Sequence, residues 1–288
     1  MRFEVATVLV QVATGGLAFC WVTTRRREVG LGYGWLLRIV FGTLAALGVV
    51  AGLGDVGTGA TVRNVGGAVM ASAAALSLWV SVARREAGVS GQRNRRHARS
   101  ARVAAMLGTA RESLADTDVP PANEFDPRLD LLAPVAGVVA LAGAAAFVGD
   151  EYALSLARLV LGAAFLGAVT DAMLLGHWYL VQPGLGRGPL EELNLWVGYV
   201  WPFEVAALLW PPGMVQVLGG SIDDGYNGVL GWFWLACAIS TIALVVVTRL
   251  ALRERAYSAV MAATGLLYLA ILTAFGTDLV ARAVLAGS

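Results

Sequence analysis

The side chains best able to do chemistry are concentrated in residues 170–183, which read TDAMLLGHWYLVQP. His177 is one of only two histidines. At the end of an apolar helix it could hydrogen-bond a quinone carbonyl or a lipid headgroup. Trp178 or Tyr179 would form a flat wall beside that group, and Asp171 would be a buried proton acceptor. Asp171 precedes His177 by six residues, about 9 Å along a helix and about 240° around it. The two therefore do not share a face. The competing reading is an interfacial aromatic belt in which His177 meets only water or lipid.

Glu204 is the second candidate. It is expected near the middle of the sixth apolar run, beside Trp201-Pro202. An ionisable group in hydrocarbon is costly and marks a pathway, a pair or a cavity. Pro202 lacks an N–H and should kink its helix beside that carboxyl. Together they point to a small polar cavity between the fifth and sixth apolar segments; the alternative is a protonated Glu204 that glues two helices. Arg38 is expected to snorkel to the headgroups, or else to pair with Asp171 at similar depth. Arg158 is expected to be exposed beside Asp150 or Glu151, and His97 to be solvated among arginines.

Other chemistries lack their residues. There is no bis-histidine pair for a haem, no Gly-Lys-Ser/Thr phosphate loop, no His-Glu-x-x-His and no Gly-x-Ser-x-Gly. Cys20 and Cys237 sit singly in apolar runs and read as packing residues rather than metal ligands. No metal site is expected.

The elements that must position these residues follow from composition. Of 288 residues 58% are apolar and 14% charged, against about 25% charged in a soluble domain. The net charge of +1 removes a nucleic-acid partner, which needs a basic face. The expectation is an all-α, polytopic membrane bundle. Eight apolar runs reach spanning length, at about 3–23, 35–54, 65–83, 131–149, 156–178, 195–217, 229–248 and 257–275. Gly, Ala, Ser and Thr recur in them, as close helix packing in a bilayer requires. Pro189 fits a helix start, with Glu191 and Glu192 in its first turn.

Sixteen of the 21 arginines, and no lysine, lie in the loops after runs 1, 3, 5 and 7. The positive-inside rule then places those loops in the cytoplasm and both termini outside, in a cell inner membrane. The chain divides into helices 1–3 (residues 1–83), a segment at 84–130, and helices 4–8 (131–288). Within the middle segment, 98–114 reads either as a basic amphipathic surface helix or as a flexible basic linker that only enforces topology. Residues 116–130 read as an acidic linker suited to docking. The loop order repeats between the halves, as a four-plus-four duplication would give, although no residue-level repeat is visible.

Two functional readings follow. The first is an integral subunit, scaffold or anchor, of a larger membrane complex, such as one for electron transfer. It would contain no cofactor of its own and contact a quinone or lipid at His177, Trp178, Tyr179 and Asp171. Membrane lipids and other complex subunits would be its partners. The second is a small-solute or proton-coupled transporter or channel using Asp171 and Glu204. An intramembrane enzyme acting through His177, Glu191 and Glu192 has the least support, because no acid, base and metal ligands converge. Whether the chain is an enzyme is left open.

Overall fold

The computed structural model describes residues 4–89, 124–148, 151–182, 185–254 and 256–286. Among these there is no strand. Eight long helices dominate: α1 (Val5–Thr24), α2 (Leu31–Ala51), α3 (Thr58–Ala83), α4 (Leu132–Val148), α5 (Tyr152–Val181), α6 (Gly188–Leu209), α7 (Val229–Arg253) and α8 (Tyr257–Ala286). The protein is an all-α polytopic bundle. Seven helices are long and apolar enough to cross a membrane, α4 together with its lead-in turn. The other, α6, has 22 residues but carries Glu191, Glu192 and Glu204. It packs between α5 and α7.

The helices form two four-membered rings of the same order. In the first half α1 meets α2, α2 meets α3, α3 meets α4 and α4 returns to α1. In the second, α5 meets α6, α6 meets α7, α7 meets α8 and α8 returns to α5. The halves join chiefly through α1 and α5, which are 72% buried where α2, α3, α7 and α8 are 33% buried. These two seam helices run parallel, since Gln11 of α1 lies against Gly162 of α5 and Gly15 against Ala163 and Gly167. At Gly15 the backbones touch: a Cβ there would fall inside the Ala163 carbonyl, and one on Gly167 would fall inside Gly15. Only glycine permits that approach.

Proline and carboxylate signals set several ends. Pro189 occupies the first turn of α6 with Glu191, as expected. Pro211-Pro212 stops α6 at Leu209, because neither proline can donate the next helical bond. The sixth run was expected to continue to 217, and instead a separate short helix spans Met214–Leu218. Glu204 is therefore near the end of α6 rather than at its middle. Conversely, α8 continues to Ala286, eleven residues past the expected end, through Asp278 and Arg282. The N-terminus of α7 is capped from a distance by Asp224. Its carboxylate accepts from the N–H groups of Tyr226, Gly228, Leu230 and Gly231 at 2.8–3.2 Å.

The expected amphipathic helix at 98–114, and His97, lie outside the described residues. Part of the acidic linker does not. Residues Phe125, Pro127 and Asp130 are buried against the first half.

Candidate functional site

Four helices bring polar groups together inside the bundle, three of them ionisable ones, at the end where α1 and α5 begin. Arg158 comes from α5, Glu204 from α6, Asp278 and Arg282 from α8, and Gln11 from α1. Glu204 and Asp278 are 0% exposed, Arg158 and Arg282 4%. Each lies four to eight residues from the nearer end of its helix, about 6–12 Å along the axis.

Arg282 Nε donates to Asp278 Oδ2 at 2.8 Å, one helical turn away, and its Nη2 to the Arg158 carbonyl at 3.2 Å. Gln11 Nε2 crosses the seam and donates to Asp278 Oδ1 at 3.3 Å. Gly162 makes room for this junction: a Cβ there would overlap Gln11 Nε2 and come within 2.5 Å of Asp278 Oδ1. Arg158 turns the other way. It donates to the carbonyls of Ala207 at 3.0 Å, Trp210 at 2.8 Å and Pro212 at 2.7 Å, capping the carbonyl end of α6.

Glu204 is different. Neither carboxyl oxygen meets a donor among the described residues. Its carboxyl adjoins that of Asp278, within the fields of Arg282 and Arg158. Two carboxylates are acceptors only. The contact closes as a hydrogen bond when one of them carries a proton, as in a carboxyl dyad.

A second buried carboxyl stands on the same seam. Asp171 is 0% exposed and neither oxygen has a hydrogen-bond partner among the described residues. It lies thirteen residues beyond Arg158 on α5, about 20 Å away. The Tyr33 hydroxyl of α2 donates to the Asp171 backbone carbonyl at 2.9 Å.

No known protein family, curated protein or solved structure matches this chain. The chemistry is therefore argued from its own residues.

The other sequence-derived candidates separate. His177 is exposed on α5, with Nδ1 3.2 Å from the Tyr268 hydroxyl of α8. Trp178 leans on Tyr33 and donates to Gln182 Oε1 at 2.9 Å. Tyr179 is buried and donates to the Gly186 carbonyl at 2.5 Å. Among the described residues, these three have separate hydrogen-bond partners: Tyr268, Gln182 and Gly186.

Arg38 neither snorkels nor reaches Asp171. It is 3% exposed, and Nε and Nη2 hold both oxygens of Asp130 at 2.8 and 2.7 Å. Thr24 Oγ1 adds a bond to the same carboxylate at 3.1 Å, and Phe125 covers the guanidinium. A bidentate pair stabilises Arg38 better than stretching to the surface. Arg158, expected outside, is buried because the α6 carbonyls need a donor. Missed altogether were Gln11, Asp130, Asp278 and Arg282. The readable clue was the four-residue spacing of Asp278 and Arg282 inside a run that stays apolar to residue 286.

Proposed function

We propose that the protein is a proton-coupled membrane transporter of a small solute, in which Glu204 and Asp278 take up and release the coupling proton. The observation that carries this reading is the buried Glu204 carboxyl, which faces a second carboxyl and has no donor. Arg282 and Arg158 keep the site near neutrality as the proton enters and leaves. Asp171 is the second proton site, at the opposite end of the seam. The architecture supports the same reading. Parallel repeats that meet on an axis along the membrane normal are one route to alternating access, with one half rocking against the other around a fixed site. Gln11 is the contact through which the first half would sense the charge on Asp278. The arginine distribution orients the protein in a cell inner membrane, with both termini outside.

The test is proton flux in proteoliposomes under an imposed pH gradient, with candidate solutes added in turn. Wild-type flux should fall at least tenfold in Glu204→Gln, with the folded protein retained. Flux equal to that of protein-free vesicles for every solute, or unchanged by Glu204→Gln, would overturn the reading.

The second proposal is a subunit of a larger membrane complex, one that contacts quinone in electron transfer. Its support is the large exposed aromatic surface, with Trp79, Trp232, Tyr199 and Phe203 each over 60% exposed. Stoichiometric partner proteins after mild extraction from native membranes would favour it.

A further inference from the structure

At the arginine-bearing end, a pocket of about 220 Å³ opens between α6 and α7. It is lined by Glu191, Asn194 and Leu195 from α6 and by Arg249, Leu252 and Arg253 from α7. This is the opposite end from the carboxyl dyad, and the argument is independent of transport.

Three features give the pocket a chemical preference. Arg249 and Arg253 are exposed and have no ion pair among the described residues. Asn194 is 1% exposed; its Nδ2 donates to the Val245 carbonyl at 3.1 Å, while Oδ1 has no donor among the described residues. Glu191 adds a carboxylate acceptor at the rim. Two guanidiniums and one carboxylate leave one net positive charge, which a phosphodiester monoanion balances. The two acceptors ask for a hydroxyl or ammonium donor on the same ligand. Arg253 ends a spanning helix and Arg249 lies one turn before it, the level at which lipid phosphates lie. Arginine is also the side chain best shaped for phosphate oxygens.

We propose that this pocket binds the phosphodiester headgroup of a membrane lipid that carries a hydrogen-bond donor, a glycerol hydroxyl or an ethanolamine ammonium. The phosphate sits between Arg249 and Arg253. The donor reaches Asn194 Oδ1 and Glu191, and Leu195 and Leu252 contact the glycerol backbone. Phosphatidylcholine offers the phosphate without the donor and should bind poorly.

Native mass spectrometry of the full chain in detergent, with equal amounts of phosphatidylglycerol, phosphatidylethanolamine and phosphatidylcholine, tests this. Wild type should retain the first two about tenfold more than the third, the scale expected for one or two charge-assisted bonds. The double variant Arg249→Gln/Arg253→Gln, at exposed positions that should not disturb folding, should erase the preference. Arg128→Gln, an exposed arginine elsewhere, should keep it. Equal retention of all three lipids by wild type, or an unchanged preference in the double variant, would overturn the proposal. So would displacement of bound lipid by millimolar glycerol phosphate, which would assign the site to a soluble phosphate.

Discussion

In the first half of the molecule, α1–α4, the guanidinium of Arg38 meets both oxygens of Asp130, and that of Arg63 meets Glu4 and Asp55. In the second half, α5–α8, Arg158 meets three backbone carbonyls, and Glu204 meets no donor. The ring order is the same, but the bookkeeping of charge is not. Where each buried arginine has its carboxylate, the pair positions helices and has nothing to exchange. Where one arginine is spent on carbonyls, a carboxyl is left over, and a proton is the ligand that completes it. On the proposed reading, the proton chemistry belongs to the second half and the first half is the clamp.

The strongest way to break the comparison is to separate the halves. In Gly15→Ala the new Cβ collides with backbone rather than with a movable side chain. A loss at or above the ~3 kcal/mol upper end of overpacking is expected, seen as failure to recover folded protein from detergent. Asp130→Asn comes next. It leaves Arg38 buried and half-paired, and removing one partner of a buried pair costs about 3–5 kcal/mol. Denaturant unfolding in mixed micelles measures it. Glu204→Gln should change the same stability by less than ~1 kcal/mol, because no ion pair is lost. Equal losses for the two variants would erase the distinction between the halves.

The smallest effect lies outside the membrane segments. Burial pushes the Asp224 carboxyl upward, but the N–H groups of Gly228, Tyr226, Gly231 and Leu230 outweigh it and hold the group below the usual aspartate value. A lowered folded value means the stabilisation is present above the unfolded pKa of ~3.9 and disappears as the pH falls through the folded one. Asp224→Asn should therefore lower the melting temperature at neutral pH, and the gap should close in strong acid.

Apolar run length made the bundle and the approximate helix positions legible in the sequence, and the repeated loop order hinted at the two halves. The ends were less legible. Pro211-Pro212 interrupts a stretch whose flanks are apolar, and the last helix carries Asp278 inward beyond the apolar run that ends at 275. Asp171 and Glu204 stood out because a carboxylate in an apolar run is conspicuous. Their neighbours did not, because Gln11 and Asp278 are 267 residues apart and nothing local announces such a contact. Asp130 was read as linker because the turn Pro127–Leu131 that carries it under Arg38 is polar in sequence and buried only by tertiary packing.

The proton between Glu204 and Asp278 is best sought by infrared spectroscopy of the protein in lipid at neutral pH. Wild type should show a protonated-carboxyl band that shifts in deuterium oxide and shrinks in both Glu204→Gln and Asp278→Asn. A band of the same intensity in wild type and Glu204→Gln would contradict the assignment of the proton to this pair.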